Sequence, residues 1–132
     1  MEKTDQELIE AARAVRARAH APFSGFKVGA ALETESGDVV TGCNVENASY
    51  GLTMCAERVA IFKAISEGEK QFARLAVVAD TEELTPPCGA CRQIIWEFCG
   101  DIPVIMSNLN EKTETVKMSE LLPRAFDANF LK

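Results

Sequence analysis

Leu75-Ala76-Val77-Val78-Ala79, followed after a short polar stretch by Pro87-Cys88-Gly89-Ala90-Cys91, is the part of the chain on which the fold turns. Five consecutive apolar residues without alternation read as a strand buried on both faces. A strand of that kind belongs in the middle of a sheet with helices packed on it. Beyond Pro87 the period changes. Ile94, Ile95 and Phe98 mark the buried side of a helix that follows Pro87 and stops at Gly100.

Working outward, Ala56 to Glu67 forms a second helix, closed by Gly68, whose lack of a Cβ suits a left-handed cap. Further upstream, Phe26–Glu33 and Val39–Val45 read as strands, joined by a hairpin turn at Ser36-Gly37-Asp38. Leu8, Ala12, Val15 and Ala19 recur at helical spacing, with Arg13 and Arg16 facing elsewhere. Thr4 with Glu7 three residues on makes a capping box, so a first helix runs from about Asp5 to Ala19 and Ala21-Pro22 ends it. Downstream, Pro103–Ser107 and Glu114–Met118 are two more strands, and Ser119 caps a short last helix carrying Leu121 and Leu122. This order predicts a mixed α/β sheet with helices on its faces. No linker or repeat interrupts it, so residues 1–132 are expected to be one domain.

Composition narrows the class. Apolar residues make up 47 % and charged residues 26 % of the chain, as in ordinary soluble globular proteins. No apolar run reaches the ~20 residues of a membrane span. The Ala- and Arg-rich start is spoiled as a transit peptide by Glu2, Asp5, Glu7 and Glu10, which favours a cytoplasmic location. A net charge of −6 argues against a polymeric nucleic acid as partner and for a small uncharged substrate. Five cysteines, an odd number, speak against a disulfide framework and for reduced thiols or metal ligands.

The chemistry concentrates in Cys55-Ala56-Glu57 and Pro87-Cys88-Gly89-Ala90-Cys91. Cys55 begins one predicted helix, and Cys88 and Cys91 begin another, three residues apart and so on one face. Helix N-termini favour thiolates. Thiolates suit zinc, and three ligands instead of four leave a place for a reactive water. Glu57 stands where a proton carrier for that water is useful. Arg58 and Arg92, beside these residues, can offset the negative charge. Taken singly, each signal has a plainer reading. A Cys-x-x-Cys pair alone suits redox chemistry, and Glu57 alone is an ordinary first-turn acid. A closed structural zinc site needs a fourth ligand, for which Cys43, Cys99 and His20 are the candidates. Of these, Cys99 lies at the far end of its helix, Cys43 lies in a strand, and His20 faces solvent. Phe26 and Trp96 read by default as core or interface aromatics. Asn44 and Glu46, two apart in an extended segment, point the same way and can grip vicinal hydroxyls, or else form a solvated strand end.

Together these residues match the signature of zinc-dependent deaminases, in which an acid-bearing motif precedes Pro-Cys-x-x-Cys. Phe26-Lys27-Val28-Gly29-Ala30-Ala31, Gly42-Cys43-Asn44-Val45-Glu46-Asn47, Cys55-Ala56-Glu57-Arg58 and Pro87-Cys88-Gly89-Ala90-Cys91-Arg92-Gln93 resemble, in order and spacing, the motifs of the cytidine deaminase family. The resemblance covers nearly the whole chain. It implies a three-layer α/β/α fold around a five-stranded mixed sheet. It also implies a zinc enzyme of pyrimidine salvage, converting cytidine and deoxycytidine to uridine and deoxyuridine with release of ammonia. Residue by residue, it implies that Cys55, Cys88 and Cys91 hold zinc and that Glu57 shuttles protons. Asn44-Val45-Glu46 would bind the ribose, Phe26 would pack on the pyrimidine, and Ala56 would meet the base through its backbone. Arg58 would temper the thiolate charge. Phe126 would reach the site of a neighbouring subunit in a homotetramer. The residues from Gly51 to Met54 depart from the family pattern, leaving that wall of the site open. A blasticidin-type deaminase has a similar zinc motif, but Asn44-x-Glu46-Asn47 favours a ribose-bearing nucleoside. A redox or structural zinc module is the reading from another class.

Overall fold

The computed structural model describes residues 4–131 and places five strands in one sheet, in the order β2-β1-β3-β4-β5. The elements are α1 (Asp5–Arg16), β1 (Val28–Thr34), β2 (Val39–Cys43), α2 (Ala56–Ser66), β3 (Phe72–Ala79), α3 (Gly89–Cys99), β4 (Pro103–Ser107), β5 (Thr113–Lys117) and α4 (Met118–Leu121). Single 3₁₀ turns occur at Tyr50–Leu52 and Ala128–Leu131. The apolar run 75–79 lies in the central strand, as expected. β3 pairs antiparallel with β1 and parallel with β4, and the sheet's other pairings are antiparallel. No helix among the described residues is long and apolar enough to cross a membrane.

Alternation along the strands sorts the core into two layers. Ala31, Ala76, Val78 and Ile105 face α1, where they meet Leu8, Ile9 and Ala12. Ala30, Leu32, Leu75, Val77 and Val104 face the other way, onto Ala56, Ala60, Ile61 and Ile95 of α2 and α3. Both layers depend on helices lying unusually close to the sheet. A Cβ at Gly29 would fall 1.9 Å from the Ala12 carbonyl oxygen, and one at Gly42 would fall 2.5 Å from the Ala60 nitrogen. Only glycine allows that approach.

Several boundaries differ from the sequence expectation. The Thr4–Glu7 capping box forms as predicted. However, α1 stops at Arg16, not Ala19, because the His20 N–H bonds the Asn44 carbonyl at 3.0 Å and the Glu46 N–H returns to the His20 carbonyl at 2.7 Å. Pairing with residues 44–46, which lie beyond β2 and not in it as the sequence suggests, thus draws the chain out of the helix. Arg13 and Arg16 do not simply face away: they donate to the carbonyls of Leu109 and Lys27, both at 3.1 Å. Gly68 and Gly100 end α2 and α3 with positive φ, as the sequence suggests. On α3, Ile95 is buried but Phe98 is exposed, set edge-on against Phe62 of α2. Lys117, not Ser119, caps α4, while the Ser119 N–H donates to the Asp101 carboxylate at 2.7 Å.

Candidate active site and metal centre

Cys55 and Cys88 are the N-cap residues of α2 and α3, and Cys91 follows in the first turn of α3. Because both helices start at the same end of the sheet, the three sulfurs converge within 4.8 Å of one another. The Cys88 sulfur lies 3.9 Å from that of Cys55 and 3.3 Å from that of Cys91. Four-coordinate zinc with Zn–S bonds of ~2.3 Å needs sulfurs about 3.8 Å apart, so the spacing fits. None of the five cysteines is in a disulfide. Cys43, Cys99 and His20 are not part of the cluster, so no fourth protein ligand is found among the described residues.

The electrostatics call for a cation. The Cys91 thiol donates to Cys55, and the Arg58 guanidinium lies 3.3 Å from the Cys55 sulfur; together they pull the Cys55 thiol down to about 5. The same contact with Cys55, together with burial, pushes the Cys91 thiol up. Cys55 and Cys91 are thus driven in opposite directions, and a divalent ion held between them would favour the thiolate form of both. The Nη2 contact directs the Arg58 charge at the Cys55 sulfur, while its buried Nε has no hydrogen-bond partner among the described residues. Arg92 does not share this role. It donates to the carbonyls of Pro87 at 2.8 Å and Leu121 at 2.9 Å, fixing the entry to α3.

Glu57, in the first turn of α2, is only 4 % exposed. Burial, with a smaller push from Cys55, raises its carboxyl to about 7. A carboxyl in that range can both take and give a proton near neutrality.

Glu57, Cys55 and Cys88 line a cavity of ≈ 240 Å³ together with Phe26, Asn44, Glu46 and Ala56. Phe26 is partly exposed there and is not a core residue. The Asn44 side chain accepts the Val28 N–H at Oδ1 and donates from Nδ2 to the Phe26 carbonyl, both at 2.8 Å. That leaves one amide N–H unspent. Glu46 accepts the N–H groups of Phe23 and Ser24, at 2.9 and 3.1 Å, and the Ser24 hydroxyl. Val45 is different. Its side chain does not line the cavity, and its backbone exchanges two 2.9 Å bonds with Met54. The part of the lining left open in the sequence is supplied by Thr53 and Met54, and Thr85 and Pro86 also line the cavity. Phe126 does not reach this cavity; it stacks on Phe130 outside, the rings 5.5 Å apart. Trp96 is half-buried against the core and donates to Asp127 at 3.2 Å.

Three thiols at two helix starts, a buried acid and a layered mixed sheet define a zinc-binding α/β enzyme. Residues 2–107 match the family model described as the cytidine and deoxycytidylate deaminase zinc-binding region. The chain is 51 % identical to a cytidine deaminase of Sporosarcina psychrophila over 92 % of its own length and 90 % of the relative's. Identity is 52 % to a cytidine deaminase of Halalkalibacterium halodurans, covering 93 % and 94 % of the two chains. A crystal structure of cytidine deaminase from Burkholderia pseudomallei superposes with a TM-score of 0.92 at 49 % identity, covering 94 % of this chain and all of that one. The chain belongs to this zinc-binding deaminase family.

Proposed function

We propose that this chain is a hydrolase that deaminates cytidine and deoxycytidine to uridine and deoxyuridine, releasing ammonia. The observation that carries the proposal is the convergence of the thiol cluster and buried Glu57 on one cavity faced by Phe26, Asn44 and Glu46. The family spans nucleoside and nucleotide deaminases. Here neither this cavity nor the adjoining one, which shares Glu46 and Thr53, has a Lys or Arg in its described lining. A 5′-phosphate would find no counter-charge there, which favours the nucleoside.

Cys55, Cys88 and Cys91 would hold the zinc ion, whose chemistry would be to acidify a water toward a pKa of ~7. Glu57 takes a proton from the attacking water and delivers it to N3 of the pyrimidine, so that C4 becomes more electrophilic. After the water oxygen bonds to C4, Glu57 takes the remaining hydroxyl proton and gives it to the amino group, so that the C4–N bond breaks, C4=O forms and ammonia leaves. Arg58 tempers the charge of the thiolates. Phe26 packs against the base, which the backbone at Ala56 meets. Asn44 has one donor left and Glu46 accepts in the same cavity, which suits a sugar hydroxyl that both gives and accepts a hydrogen bond. Val45 contributes through its backbone, by holding this segment against Met54.

We assign residues 1–132 to one catalytic domain working in the cytoplasm, where its unpaired thiols stay reduced. A homotetramer with shared sites accounts for Phe126, Phe130 and Leu131, which stand more than half exposed. In that assembly Phe126 completes a neighbour's cavity, and a monomeric variant binds zinc but turns over poorly.

The test is the purified protein with cytidine, followed by absorbance and ammonia release before and after a chelator, with blasticidin S assayed alongside. Turnover of cytidine that a chelator abolishes and zinc restores is expected. Zinc-loaded protein releasing no ammonia from cytidine overturns the proposal.

A further inference from the structure

The hydroxyl of Ser24 bonds two residues that line the cavity, Glu46 and Phe26, without lining it. It donates to one oxygen of the Glu46 carboxylate and accepts the Phe26 N–H at 3.0 Å. The backbone N–H of Ser24, with that of Phe23, occupies the other carboxylate oxygen at 3.1 and 2.9 Å. Glu46 and Phe26 both face the cavity, 20 positions apart in sequence. A single side chain therefore sets the orientation of both.

We infer that Ser24 is a positioning residue for the nucleoside, fixing the carboxylate of Glu46 and the backbone of Phe26 relative to each other. The inference rests on the functional reading above. A carboxylate offers about four lone-pair sites, and three are filled by residues 23 and 24, so about one remains for a ligand hydroxyl. Its direction is set by the contact on the oxygen that Ser24 alone holds. Removing the hydroxyl frees that oxygen and leaves the Phe26 N–H without its acceptor. The Asn44 clamp on the Phe26 carbonyl and the Val28 N–H stays in place, so the segment is loosened and not unfolded. Ser24 has no hydrogen bond to the thiols or Glu57, so the loss falls on substrate binding and spares the chemical step.

The experiment compares wild type, Ser24→Ala, Ser24→Thr, Glu46→Gln and the Ser24→Ala/Glu46→Gln pair, each with zinc content and thermal midpoint recorded. Ser24→Ala is expected to raise KM for cytidine roughly tenfold, the order of a modest mispositioning effect, with kcat within about threefold of wild type. Ser24→Thr, which keeps the hydroxyl, returns KM to within about threefold. In the Glu46→Gln background Ser24→Ala adds less than about threefold, because the group it positions is already altered. An unchanged KM in Ser24→Ala, a loss confined to kcat, or a fully additive penalty in the double variant overturns the inference. Wild-type turnover separates the two readings: without it the functional assignment fails, and with it only the role of Ser24 is in question.

Discussion

Glu33 and Glu57 are both shut away from water, on opposite sides of one sheet, and their surroundings treat them in opposite ways. Glu33 lies on the α1 side. Its carboxylate accepts from the Arg74 guanidinium at 2.8 Å, and Arg74 also reaches Asp5 at the start of α1. The charge is matched and serves to pin a helix to the sheet. Glu57 lies on the other side, with no ion pair among the described residues and a carboxyl raised to about 7 by burial. Burying an unpaired carboxyl costs stability, and proteins tolerate that cost mainly where the proton is used. The same sheet thus carries a face built to hold together and a face that, on the proposed function, is built to react.

Glu57→Gln tests the contrast most severely. Turnover should fall at least the ~10²–10⁴-fold typical of general acid–base catalysis, while zinc content stays at the wild-type level. Near-normal ammonia release by this variant would remove Glu57 from the reaction. Glu33→Gln should do the reverse, leaving kcat within about twofold per folded molecule while weakening the fold. Its cost is about 3 kcal/mol in urea unfolding, the low end for breaking a buried pair, since Asp5 still holds Arg74. A Glu33→Gln protein as stable as wild type would show that the pair does not pin α1.

A smaller, pH-dependent effect separates the two acids further. The folded Glu57 carboxyl, at about 7, holds its proton more tightly than the ordinary value of 4.5. Between those values the folded state binds more protons than the unfolded one, so this contribution is complete below pH 4.5 and is lost as pH rises through about 7. Chelated wild type should therefore lose urea resistance relative to chelated Glu57→Gln as pH rises from 5 to about 7.5. Parallel curves for the two proteins would mean that burial does not perturb Glu57.

What could be read from the sequence follows the same division between local and distant. The run 75–79 marks its strand because a two-sided burial pattern is local. Cys55, Cys88 and Cys91 are legible because helix starts and three-residue spacing are local too. Features that need strand register are not. Nothing in sequence announces that Glu33 stands opposite Arg74, that Arg92 holds Leu121, or that Ser24 meets Glu46. The periodicity that placed Phe98 inside α3 was right about the helix and wrong about the face, because its outer turn meets Phe62 on the surface and not the core. Thr53, Met54, Thr85 and Pro86 enter the cavity from irregular segments, where periodicity gives no signal.

The bare α-carbon of residue 42 has a reach well beyond its own strand. Because nothing projects from it, α2 rests with the Ala56 carbonyl 2.7 Å from where a methyl would begin. The elevation of that helix above the sheet is the elevation of Cys55 and Glu57, which ride on its first turn, whereas Cys88 and Cys91 are carried by a neighbour with its own seat. The alignment of the two halves of the proposed reaction centre is thus calibrated by a missing methyl, like a shim left out so that two parts of a machine meet level.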